Sequence, residues 1–164
     1  MMRITTIAAF VLTVFLSAAC SKAAPDGAPI VTVYKSPTCQ CCSVWIEHLK
    51  QSGFATRVEA QRDLAPVRTR LGVPATLAAC HTAVVNGYLV EGHVPAEDIR
   101  RLLAEKPNAK GIAVPGMPVG SPGMEMGERH DPYEVLLFDG AGETQVFARH
   151  GAWPTGADGA PHAP

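Results

Sequence analysis

The sequence predicts an α/β fold: a mixed sheet flanked by helices, with a C-terminal loop and hairpin extension. Three observations predict it. Strand-like and helix-like segments alternate between residues 30 and 103. A two-residue turn, Asn86-Gly87, joins two short β-branched runs. A stretch rich in Gly, Pro and Met then separates this region from a second hairpin near the C-terminus.

Ile30-Val31-Thr32-Val33-Tyr34 reads as a buried strand, because β-branched residues fill a pleated surface well. Ser36-Pro37-Thr38 breaks it, and Val44, Trp45, His48 and Leu49 then recur at helical spacing until Gly53. A second strand is expected over residues 54–60. A second helix is expected over 64–71, with Asp63 as N-cap and Gly72 as terminator. Ala83-Val84-Val85 and Tyr88-Leu89-Val90 flank Asn86-Gly87 and should pair antiparallel. A short amphipathic helix follows over 97–103, its acidic start suiting the helix dipole and its apolar face formed by Ile99, Leu102 and Leu103. Residues 115–126 carry only loop signals, and strands over 133–138 and 144–147 make the final hairpin. The order strand, helix, strand, helix, hairpin, helix is that of the thioredoxin-like fold.

The chain has 164 residues, room for one domain and a targeting segment. With Lys+Arg 14 against Asp+Glu 15 it has no basic face for a polyanion, so nucleic acid is excluded as a partner class. Gly 15 and Pro 14 exceed the ordinary share of ~12%, and they concentrate at the two ends and between Gly111 and Gly127. Residues 1–22 read as an export signal: Arg3, an apolar run from Ile4 to Leu16, then Ser17-Ala18-Ala19. The run is too short to span a bilayer. Cys20 after small residues offers a lipoprotein signal, with Ser17 where such signals usually carry Leu; cleavage near Ala23 would instead release a soluble protein. Membrane association is expected only through that lipid anchor. Residues 23–29 form a linker, 30–150 the domain, and 151–164 a tail of Gly, Pro and Ala expected to be disordered.

Chemistry concentrates in Cys39-Gln40-Cys41-Cys42 at the first strand-to-helix turn. Cys39 and Cys42 have the spacing of thiol-disulfide oxidoreductases, with the first thiol at a helix N-terminus that favours thiolate. In that reading Cys39 is the nucleophile and Cys42 resolves. Cys41 is the residue such an enzyme does not need, and three thiolates in four residues favour soft metals such as copper(I) or zinc over magnesium or calcium. In a thioredoxin-like sheet Cys80 falls near the end of the first strand, facing the cluster, where thioredoxins carry a cis-proline. Cys39, Cys41, Cys42 and Cys80, or His81 in place of one, would also fill a tetrahedral zinc site and stabilise an interaction module. Two structural disulfides are a further alternative. Met117, Met124 and Met126 are thioethers on a loop, usable as soft ligands or as apolar pins. His81 gains from its neighbour Cys80. His93 and His130 read as a hydrogen-bonded turn and a solvated loop, His48 as a partly buried packing residue, and His150 and His162 as tail.

Several motifs together resemble one family. They are Tyr34-Lys35-Ser36-Pro37-Thr38-Cys39 with Cys41-Cys42, Cys80-His81-Thr82-Ala83, Gly87-Tyr88, Glu91-Gly92-His93-Val94-Pro95-Ala96, and Gly116-Met117-Pro118 with Gly120-Ser121-Pro122-Gly123-Met124-Glu125. Over residues 31–147 the chain resembles the CopG-type periplasmic copper-resistance proteins. The resemblance implies a thioredoxin-like fold, a location outside the cytoplasm, and copper held by the triple cysteine with the distant one. It also implies that histidine and methionine from the later motifs complete the site. The expected ligands are thus Cys39, Cys41, Cys42 and Cys80, with His81 and Met117 or Met126 as secondary donors. The expected cargo is copper(I), in one ion or several, and the expected partners are other periplasmic copper-handling proteins.

Overall fold

The computed structural model describes residues 28–153, so the segment expected to be an export signal, Cys20, most of the expected linker and the expected tail beyond Trp153 lie outside the described residues. β1 (Ile30–Lys35) leads through α1 (Gln40–Gln51) to β2 (Ala55–Ala60), which pairs parallel with β1. α2 (Ala65–Leu71) and a single 3₁₀ turn (Ala75–Leu77) precede the hairpin β3 (His81–Val85) and β4 (Tyr88–Glu91). α3 (Ala96–Glu105) crosses to β5 (Gly111–Ala113), which is parallel to β4, and β6 (Tyr133–Phe138) and β7 (Thr144–His150) complete the sheet. Its order is β2-β1-β3-β4-β5-β6-β7, seven strands in all. No helix among the described residues is long and apolar enough to cross a membrane.

The turn chemistry works as read. Asn86 and Gly87 both adopt positive φ, 47° and 86°, as a type I′ turn between right-twisted strands requires. Gly72 closes α2 in the left-handed region at φ 74°. Leu64, not Asp63, is the N-cap of α2, but the Asp63 carboxylate still accepts the Ala65 N–H at 2.9 Å. α3 runs longer than its periodic apolar face, from Pro95 as cap to Lys106.

Two elements depart from expectation. β5 is only Gly-Ile-Ala, too short to show a period, and it exists because β4 and β6 hydrogen-bond to its two edges. Through it the C-terminal hairpin extends the main sheet. His150 ends β7 rather than opening a tail, and its Nε2 lies 2.7 Å from Asp98 Oδ2 on α3. Trp153 beyond it donates to the His150 carbonyl at 3.1 Å, so residues 151–153 are part of the structured domain.

The sheet divides its side chains by alternation. Val31, Val33, Val90, Ile112 and Leu137 pack with Trp45 and Leu49 of α1 and with Ile99 and Leu102 of α3. The alternate residues Leu89, Ala113 and Phe138 pack with Val73 and Leu77, which follow α2. Each such aliphatic or aromatic side chain stabilises the fold by about 1.5–3 kcal/mol when fully buried. α1 therefore stands on a dry, fixed bed, and its N-terminus is held at the end of β1 beside the start of β3.

Candidate metal centre

The turn between β1 and α1 is built by short polar side chains. The Ser36 carbonyl accepts the Cys39 N–H at 3.1 Å, and the Ser36 and Thr38 hydroxyls lie 3.1 Å apart. Cys39 is the N-cap of α1, in extended conformation, and its sulfur accepts the Cys42 N–H at 3.3 Å. A sulfur there meets unpaired N–H groups and the positive end of the helix, both of which favour thiolate. Cys41 Sγ is 3.5 Å from Cys39 Sγ. Cys39 and Cys42 are joined in a disulfide, while Cys41 and Cys80 are free thiols.

Cys80 enters from the opposite side, immediately before β3. Its sulfur lies 2.9 Å from His93 Nε2 and 3.4 Å from His81 Nδ1. The Cys42 sulfur sits 3.8 Å from the Cys80 carbonyl. The sulfurs of Cys39, Cys41, Cys42 and Cys80 fall within 4.8 Å of one another, and so do the donor atoms of Cys80, His81 and His93. Cys80 belongs to both groups.

His93 has a fixed tautomer. Its Nδ1 lies 2.8 Å from the Pro122 carbonyl, which only accepts, so Nδ1 carries the proton and Nε2 presents a lone pair to Cys80. Burial lowers its pKa, against the opposing pull of the Pro122 carbonyl and Glu125, and keeps the ring neutral. His81 is fully buried, with its ring centroid 4.2 Å from that of Trp45, and its Nε2 has no hydrogen-bond partner. Burial first, and the neighbouring His93 second, hold its pKa down to about 3. The Cys80 thiol is pushed up to about 12, mainly by burial and then by Cys41. A metal ion would reverse that last preference, since a coordinating thiol is deprotonated and its proton released to solvent.

A long loop, residues 114–132, closes over this arrangement. Pro122 holds His93, and Gly123 lies directly on the first turn of α1. A Cβ at Gly123 would come within 2.8 Å of the Cys41 carbonyl and 2.9 Å of the Trp45 nitrogen, and its φ of +85° is itself unsuited to a side chain.

Of the residues named from the sequence, Cys39, Cys41, Cys42, Cys80 and His81 are brought together. Met117 and Met126 lie on the same loop, 54% and 65% exposed. His48 is partly buried as expected, and its Nε2 accepts the Ala96 N–H at the start of α3. His93 is the donor that sequence reasoning missed. The signal was present: counting outward from the Asn86-Gly87 turn along the paired strands, the register that sets Thr82 opposite Glu91 sets residue 80 opposite residue 93.

Two solved structures resemble the chain over nearly their whole length. Copper resistance protein CopG, form 2, is 44% identical, with a TM-score of 0.72 over 76% of this chain and 99% of that one. Form 1 of that protein is 46% identical, with a TM-score of 0.71 over 75% of this chain and 98% of that one. A family model described as a protein of unknown function, DUF411, matches residues 77–124, the span that holds Cys80, His81, His93 and the covering loop. Among curated proteins no match is found.

Proposed function

The chain belongs to the CopG copper-resistance protein family, and from that membership we propose that it is an exported copper-binding protein that holds copper(I) and acts in copper resistance and homeostasis. The observation that carries the reading is the place of Cys80 in two donor groups at once, one of four sulfurs and one of a sulfur with two imidazoles. Thiolates suit soft ions such as copper(I) and zinc, family membership favours copper(I), and a thiolate shared between two donor groups is placed to bridge two ions. Cys39, Cys41, Cys42 and Cys80 supply sulfur, and His81 and His93 supply neutral nitrogen. Met117 and Met126 act as secondary thioether donors from the loop.

Opening the Cys39–Cys42 disulfide takes two electrons and two protons and yields two thiols, which release those protons to solvent when they bind metal as thiolates. Copper uptake by the four-sulfur group therefore depends on a reductant, and the site couples thiol redox state to copper occupancy. The thioredoxin-like arrangement, the export signal over residues 1–22, a periplasmic location with or without a lipid on Cys20, and exchange with other periplasmic copper-handling proteins belong to the same reading.

The test is uptake of copper(I) by the anaerobically reduced chain against a competing chelator, with elemental analysis of protein purified without air. A reduced protein that takes up none sinks the proposal. Zinc in that analysis, with unfolding on chelation, would favour a zinc-stabilised interaction module instead. A second reading rests on the Cys39–Cys42 disulfide at a helix N-terminus. In it the protein is a periplasmic thiol-disulfide oxidoreductase, with Cys39 attacking a partner disulfide and Cys42 resolving. Cys41→Ser separates the two: a reductase keeps insulin-reducing activity, whereas the copper protein loses copper stoichiometry.

A further inference from the structure

Residues 78–80, which deliver Cys80 to the centre, belong to no helix or strand. Backbone of that kind is ordinarily the least constrained part of a site, yet both polar groups of Ala79 are held by side chains. The Ala79 N–H donates to Glu91 Oε1 at 2.8 Å, and the Ala79 carbonyl accepts from the Arg68 guanidinium. Arg68 Nε donates to the same Glu91 oxygen at 2.9 Å, closing a ring of side chain and backbone around one residue. Glu91 is fully buried on β4 and the Arg68 side chain is 18% exposed on α2, so the ring comes from the α2 side of the sheet, behind the sulfurs. Gly92 closes the remaining side: a Cβ there would stand 2.9 Å from the Ala79 Cβ.

Ionised groups are expensive to bury, and an apolar pair of similar volume often packs as well or better. The hydrogen bonds of this pair reach past each other to the residue next to Cys80. We propose that Arg68 and Glu91 are positioning residues: a clamp that fixes Cys80 where it is shared between the sulfur group and the imidazole group. The inference rests on the proposed copper(I) reading of that centre. Groups that orient metal ligands in this way typically change affinity by about 10–100-fold when altered.

Arg68→Lys keeps a positive charge for Glu91 but removes the planar fork that spans Glu91 and Ala79. Glu91→Gln keeps an oxygen for both donors and serves as the conservative control. Two readouts on the reduced full-length chain separate the clamp from the copper reading. In the metal-free protein, alkylation of Cys80 by iodoacetamide, scaled to Cys41 in the same molecule, should rise in Arg68→Lys and stay near wild type in Glu91→Gln. In chelator competition, copper(I) affinity should fall about 10–100-fold in Arg68→Lys, and the same substitution should cost little further in a Cys80→Ser background, because both act through one sulfur.

Wild-type alkylation ratios in Arg68→Lys, or losses that add in the double variant, would overturn the clamp and leave the pair as a core ion bridge. Wild-type protein that binds no copper(I) would overturn the copper reading alone, and the alkylation ratio would still decide the clamp. Should Arg68→Lys fail to fold by circular dichroism, the joint replacement Arg68→Met with Glu91→Leu removes both charges together and carries the same two readouts.

Discussion

On one side of the centre, Cys39, Cys41 and Cys42 come from four consecutive residues around the N-terminus of α1. On the other, Cys80 and His81 come from the start of the β3–β4 hairpin and His93 from just past its end, more than ten residues later, and the backbone next to Cys80 is tied down from behind. In the first wall Cys39 and Cys41 are half-buried at a helix N-terminus whose N–H groups favour anionic sulfur once the disulfide is opened, with Cys42 buried behind them. The second is set deeper: His81 and His93 are fully buried beside a half-buried Cys80, and burial drives the Cys80 thiol up to about 12 and holds His81 down to about 3. One wall offers charge and the other offers fixed neutral donors. Copper(I) would meet both kinds at once, and the wall that is costlier to assemble also contains the shared ligand.

The sharpest way to break this contrast is to remove the shared sulfur. Cys80→Ser should lower copper(I) affinity by well over 100-fold and reduce stoichiometry, because both donor groups lose a member, whereas Cys41→Ser removes a member of one; chelator competition with elemental analysis reads both. If the two variants behave alike, the walls are equivalent. Next in size is His93→Phe, which leaves the Pro122 carbonyl without its donor and Cys80 without its imidazole. Affinity should fall about 10–100-fold with the coordination by the four sulfurs retained in X-ray absorption spectra.

Gly123→Ala probes the loop that caps both walls. The added Cβ would crowd the Cys41 carbonyl at a φ of +85°, so a loss of about 1–3 kcal/mol is expected. In a domain this size that lowers the melting temperature by about 4 °C for each kcal/mol. The same substitution at Gly116, which has no neighbour within 4 Å, has only the cost of its positive φ and should lower the melting temperature less.

The deeper wall also has an acid signature. His81 takes up a proton far less readily folded than unfolded, so its contribution to stability is present above pH 6.5 and is lost as pH falls from 6.5 toward 3. The slope is about 1.4 kcal/mol per pH unit for one such group. Burial raises the pKa of Glu91 and Asp98, which opposes this at the acid end. Melting of the metal-free protein should therefore fall across the upper part of that window, and His81→Phe should flatten the slope; an unchanged slope would place the acid sensitivity elsewhere. The smallest effect is expected from Met117→Leu with Met126→Leu. These side chains are more than half exposed, so affinity should change only a few-fold in the same competition assay.

The wall built from neighbouring residues was the legible one. Cys39-Gln40-Cys41-Cys42 after a β-branched strand and Ser36-Pro37-Thr38 announces a helix N-terminus lined with sulfur. The Asn86-Gly87 hairpin and the Gly72 terminator follow from backbone rules that act within a few residues. β5 was not legible, because three residues carry no period and become a strand only when two others flank them. His150 read as tail because its partner Asp98 lies 52 positions away.

The sequence by itself determined every strand and α-helix but β5, together with the sulfur cluster and its setting, since turn residues, β-branched runs and helix caps act through local sterics and hydrogen bonds. Tertiary structure alone decided which distant groups face that cluster. Register brings His93 to Cys80, burial sets the protonation of both, and Arg68 and Glu91 converge on Ala79 from two elements separated by 23 positions. Those outcomes depend on how α2, the hairpin and the covering loop pack against one another, and packing is a property of the whole domain that no short stretch of sequence carries.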